Sequence, residues 1–97
     1  MEHQGQAGKV ILQQREYDLA VTDDLDAELS VLRGTHCVVD FRNVTYFDTS
    51  AMTVLIRVTK HLRAAEPGAR VVLQNLSPPM RKLLGIAGLD RFFEIDE

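Results

Sequence analysis

The chain has 97 residues, 14 of them acidic and 11 Lys or Arg, with a formal net charge of −3. That length suits one domain with a single core, and an acidic balance without a basic stripe argues against nucleic acid as a partner. A single cysteine rules out an internal disulfide, and Cys37, beside Val38-Val39, reads as a buried thiol in a reducing compartment.

Residues 1–8 are polar and contain two glycines; they read as a loose tail, with the domain expected over 9–97. The start lacks the apolar segment of a signal peptide, and no run approaches the ~20 apolar residues of a membrane span. A cytoplasmic location without membrane insertion is therefore expected. Val10-Ile11-Leu12 reads as a short strand, and the polar stretch after it leads through Tyr17-Asp18-Leu19 into a loop. Thr22 suits a helix N-cap with Asp23, Asp24 and Asp26 behind it, and Leu25, Leu29 and Leu32 repeat at helical spacing until Gly34.

The stretch from Val38 to Leu55 organises the rest. Val38, Val39 and Phe41 predict a strand covered on both faces, which Arg42-Asn43 breaks before Val44 to Phe47 resumes. From Ala51 the period changes, and Ala51, Leu55, Val58, Leu62 and Ala65 mark one face of a helix. Asp48 stands at the N-cap position, where a carboxylate accepts from the orphan N–H groups of the first turn. Ser50 falls in that first turn with its hydroxyl expected to point outward.

Pro67-Gly68 closes this helix, and Arg70 to Leu73 reads as another β-branched strand. Ser77-Pro78-Pro79 predicts a capped helix start, with Met80, Leu83, Leu84 and Ala87 facing inward and Gly88 as the stop. Leu89, Phe92, Phe93 and Ile95 are expected to dock the chain's end as a last short strand. Strand and helix alternate throughout, which argues for an α/β domain: a small sheet of about four mostly parallel strands packed by three to four helices.

No catalytic set assembles by spacing. His3, His36 and His61 are scattered and match no metal-ligand pattern, and Gly85 and Gly88 do not follow a strand as a phosphate-binding turn would. Asp18, Asp48 and Ser50 lack a base placed to activate the serine. Neither a metal, a cofactor nor an enzymatic activity is expected. Alone, Asp48 is simply a helix cap. Ser50 differs, because an outward hydroxyl near the positive end of a helix dipole is reachable, and the fold tolerates a phosphate there.

Phe47-Asp48-Thr49-Ser50-Ala51, following a strand, resembles the Asp-Ser-Ser-Gly signature of STAS domains, the family of bacterial anti-sigma factor antagonists. Glu16-Tyr17-Asp18-Leu19-Ala20 is similar to the family's Gly-Glu-Leu-Asp-Leu loop. Ser77 to Leu84 with Gly88-Leu89 is similar to its C-terminal Ser-Pro…Val-Arg-Arg-Leu-Leu…Gly-Leu segment. Arg15, Ala51 and Thr53 stand where the family commonly has glycine.

The resemblance implies a STAS fold and a partner switch. The unmodified protein would bind an anti-sigma factor serine kinase and so free a sigma factor. Phosphorylation would map to Ser50, and a PP2C-type phosphatase would reverse it. Asp48 carries over as the acid that caps and orients the turn, Thr49 as its neighbour, and Asp18 as the facing loop acid; Thr53 joins them as a partner-facing position. On the helical wheel Met52 and Ile56 fall together about a third of a turn from the buried stripe. They serve either as an exposed apolar partner contact or as packing under a neighbouring helix. A competing implication is an unphosphorylated STAS subunit on the ATPase of a bacterial lipid-transport ABC complex. Self-association as a homodimer through an exposed sheet edge stays open.

Overall fold

The computed structural model describes residues 8–96, so most of the expected tail, with His3, lies outside the described residues, as does Glu97. Strand β1 (Lys9–Ile11), β3 (His36–Asp40), β5 (Arg70–Gln74) and β6 (Glu94–Asp96) form one sheet in that spatial order. All pairings are parallel, with Val10 opposite Val39, Val39 opposite Leu73, and Leu73 opposite Ile95. Three α-helices make the crossovers: α1 (Thr22–Leu29), α2 (Thr49–Ala65) and α3 (Pro78–Ile86). This is the expected small parallel sheet with its helices.

Cys37, Val39, Val71 and Leu73 are at most 1% exposed and form the inner face of the sheet against the helices. The other face is less covered than the apolar run suggested. Val38 is only half-buried, and its cross-strand row carries the exposed Lys9 and Glu94. Helix α2 buries Ala51, Met52, Val54, Leu55, Thr59 and Leu62. At about 100° per residue these cover an arc of roughly 160°, wider than the predicted stripe. Met52 is thus inside the core at 5% exposure rather than on a partner-facing edge, whereas Ile56, just beyond the arc, is half-buried. Thr59 satisfies its buried hydroxyl by donating to the Leu55 carbonyl at 2.8 Å. Ala65 and Ala87, expected inward, lie at helix ends and are exposed.

Two short strands form a second ribbon beside the main sheet. β2 (Glu16–Tyr17) pairs in parallel with β4 (Tyr46–Phe47) in a separate ribbon. Each is two residues long, too short for periodicity to reveal, so Glu16-Tyr17 read only as the entry to a loop. Phe47 fixes the ribbon from below: its ring makes edge contacts with Tyr17 at 5.7 Å and Phe41 at 5.2 Å between centroids. The Tyr17 hydroxyl accepts from the Gln14 N–H at 2.9 Å and donates to Glu28 at 2.7 Å, tying the ribbon to α1. Burial, offset by the Gln14 N–H and reinforced by Glu28, pushes its pKa well above that of free tyrosine.

The predicted caps act with one displacement. Ser77 accepts from the Met80 N–H at 3.4 Å behind two prolines, and Gly88, at φ 74°, ends the segment in the left-handed region. Thr22 does not cap α1. A 3-10 turn over Leu19–Val21 runs straight into the helix, so the capping carboxylate sits one turn earlier, on Asp18. At the far end Arg63 donates to the Phe92 carbonyl at 2.7 Å and lies over the Phe92 ring at 4.7 Å, docking the last segment beneath α2.

Candidate functional site: the Ser50 cleft

The β2–β4 register places Tyr17 opposite Phe47, so Asp18 and Asp48 leave adjacent strand ends side by side. The Asp48 N–H donates to the Tyr17 carbonyl at 3.0 Å and closes the ribbon. Both acids then do the same job. Asp48 Oδ1 accepts from the Ala51 N–H at 3.0 Å, and Asp18 Oδ1 from the Ala20 N–H at 3.0 Å. The facing loop acid and the motif acid are thereby brought together, each held by its own cap.

Ser50 is half-buried in the first turn of α2. It lines an open cleft of ≈ 330 Å³ together with Leu19, Thr22, Asp23, Thr53, Val54 and Arg57. Its hydroxyl has no side-chain hydrogen bond among the described residues. Thr49 and Thr53 are exposed beside it, with Thr53 Oγ1 donating to the Thr49 carbonyl at 3.0 Å. Of the partner-facing positions expected from the sequence, Ser50 and Thr53 line this cleft, while Asp18 and Asp48 follow the paired ends of β2 and β4 and Thr49 opens α2. Met52 does not join them, and Ile56 reaches the surface only in part.

Two cleft residues escaped the sequence reading. Leu19 is 73% exposed, a large apolar side chain at the mouth. Arg57 brings a positive charge, with its guanidinium 3.4 Å from Asp26 of α1. The same helical wheel that grouped Met52 with Ile56 puts Ser50, Thr53 and Arg57 on one exposed arc, so that signal was present.

A third omission lies below the site. Asp40, at the carboxyl end of β3, is fully buried. Its carboxylate accepts from the Arg42 N–H at 2.9 Å, Arg42 Nη2 at 2.7 Å and Asn75 Nδ2 at 2.9 Å. Burial alone would raise its pKa; the Arg42 and Asn75 hydrogen bonds outweigh that and bring it down to about 2. Asn75 adopts φ 58°, a left-handed conformation that its bond to Asp40 supports. This corner fixes the turn from β3 into β4 and so positions the Asp48–Ser50 joint. Among the described residues no group of three or more His, Cys, Asp or Glu side chains is arranged to hold a metal ion.

Comparison with known proteins agrees with this architecture. The family described as "Mlab, STAS domain" matches residues 2–95. A STAS-domain-containing protein of Pseudomonas aeruginosa is 41% identical over 58 residues, which are 60% of this chain and 55% of that protein; the chain therefore aligns with about half the length of this curated relative. Among solved structures, a Thermotoga maritima protein assigned as an anti-sigma factor antagonist superposes with TM-score 0.75 at 16% identity, covering 93% of this chain and 80% of that one. The anti-sigma factor antagonist SpoIIAA in its unphosphorylated form gives TM-score 0.69 at 21% identity, covering 92% and 78%. The Bacillus SpoIIAA structure in the phosphorylated form gives 0.64 at 21%, covering 98% and 88%. With the match running over nearly its whole length, this chain belongs to the STAS domain family.

Proposed function

We propose that this STAS domain is a binding module switched by phosphorylation of Ser50. Unmodified, it engages an anti-sigma factor serine kinase in the cytoplasm, and a sigma factor is set free. The kinase transfers the γ-phosphoryl group of ATP to Ser50 Oγ, which gains an O–P bond and loses its proton while ADP leaves. A PP2C-type phosphatase hydrolyses the ester with water and restores the hydroxyl. The domain itself is a ligand and substrate of these enzymes and performs no catalysis.

The observation that carries this reading is the Ser50 hydroxyl, without a side-chain hydrogen bond and lining an open cleft with Asp23, beside the turns that Asp18 and Asp48 cap. A phosphate adds about −1.5 to −2 charge units beside Asp18, Asp23 and Asp48. An acidic partner surface docked there meets like charge, at a cost on the order of several kcal/mol. Leu19, Thr49 and Thr53 supply contacts for the docked state, and the burial of Met52 with the partial burial of Ile56 leaves Leu19 as the exposed apolar contact. That SpoIIAA, which shares the fold, exists in unphosphorylated and phosphorylated forms supports the reading.

A second reading is favoured by the matched family description, "Mlab, STAS domain". In it the domain is an unphosphorylated subunit that sets exposed Thr49 and its neighbours against the ATPase of a lipid-transport ABC complex. Pull-down with Ser50→Ala and Ser50→Asp forms separates the two. The switch predicts that the alanine form retains a kinase and the aspartate form loses it. Equal retention by both rejects the switch, and recovery of a permease with its ATPase establishes the second reading.

A further inference from the structure

Arg57 lies two turns beyond Ser50 on α2, about 20° from eclipsing it, and both line the same cleft. Long side chains on a helix lean back toward its N-terminus, which carries the Arg57 guanidinium toward Ser50. Its partner is Asp26, at 3.4 Å, with the two side chains 62% and 53% exposed. So long and exposed a pair holds its members weakly. The acids around the serine are less free. Asp18 and Asp48 cap their turns, and Asp23 sits in the first turn of α1, facing Ser50 across the cleft. A phosphate on Ser50 therefore meets negative charge from the loop after β2, from α1 and from the N-cap of α2. Among the cleft-lining residues, Arg57 alone brings a positive charge.

We propose that Arg57 is the internal ligand of a phosphate on Ser50, exchanging its ion pair with Asp26 for one with the phosphate. This rests on the reading of Ser50 as the modified residue. Three phosphate oxygens and close to two negative charges offer a guanidinium a stronger, bidentate site than one exposed carboxylate does. The exchange leaves Asp26, on the same helix as Asp23 and Asp24, without its counter-ion. Modification on α2 is thereby transmitted to the charge of α1 as well as presented at the cleft.

The test uses the full chain with phosphoserine installed genetically at position 50, so that no kinase is needed. Phosphorus NMR then follows the second ionisation of the phosphate. Against Arg57→Gln, the unsubstituted chain should ionise lower by about half a unit, the scale of an opposite charge partly screened by solvent. Arg57→Lys should recover part of the shift, and Lys60→Gln, an exposed cation further along α2, should leave the ionisation unchanged. Asp26→Asn should lower it further, and by less in the Arg57→Gln background. Equal ionisation with and without Arg57, or an equal shift from Lys60→Gln, overturns the proposal. Because the phosphate is supplied, such a result counts against Arg57 alone, whereas absence of phosphate on Ser50 in cells counts against the switch.

Discussion

Two arginine–carboxylate pairs fall between α1 and α2, Arg42 with Asp40 and Arg57 with Asp26, and they differ mainly in burial. Asp40 is wholly enclosed, receives Arg42 and Asn75, and has its pKa held at about 2. Asp26 and Arg57 meet at 3.4 Å with more than half of each side chain in solvent. A buried carboxylate must keep every donor, because losing one leaves a desolvated charge unpaired. An exposed pair can dissolve at almost no cost. The first is suited to holding the β3–β4 corner in place, and the second to changing partners beside Ser50.

The contrast is broken most severely at its shared support. Phe47→Ala removes the ring that packs on both Tyr17 and Phe41 and should lower stability by about 3–5 kcal/mol in urea unfolding, with the β2–β4 pairing lost first. Asp40→Asn keeps the shape but removes the charge from the corner, with an expected loss of about 2 kcal/mol. A pH series tests the same group. The folded pKa of about 2 lies below the ordinary carboxylate value, roughly 3.9. The Asp40 contribution is therefore complete above that ordinary value and disappears as pH falls through about 2. Urea midpoints should drop more steeply over this range for the unsubstituted chain than for Asp40→Asn. Parallel curves would show that the corner stores no electrostatic stability.

Smaller effects are expected at Tyr17 and Arg57. Tyr17→Phe leaves Glu28 and the Gln14 N–H without the hydroxyl and should cost about 1–2 kcal/mol, with the β2–β4 ribbon still formed. Arg57→Gln should change stability by less than about 0.5 kcal/mol, because the ion pair it removes is solvent-screened. A loss at Arg57 as large as that at Asp40 would erase the distinction between a fixed corner and a labile pair.

Local pattern made most of the architecture legible. The β-branched runs at Val38-Val39 and Val71-Val72, the Ser77 cap with its prolines, and the Asp48 cap all work within a few residues, where spacing is informative. What sequence could not carry was long-range. Asp40 meets Asn75 from a distant strand end, and Glu16-Tyr17 becomes a strand only because β4 lies beside it. Met52 was ambiguous for a related reason. Whether the margin of a helical stripe is wet or dry depends on how widely the surrounding elements wrap it, and around α2 they wrap far enough to bury it.

The switch turns on the state of Ser50 when partners are bound. Protein recovered from its own cells can be divided into complexed and free fractions, and phosphate at Ser50 quantified in each by mass spectrometry. Kinase-bound protein should bear a free hydroxyl at Ser50, and the phosphorylated population should be unbound. Phosphate equally abundant in both fractions, or absent from Ser50 under every growth condition, would contradict it.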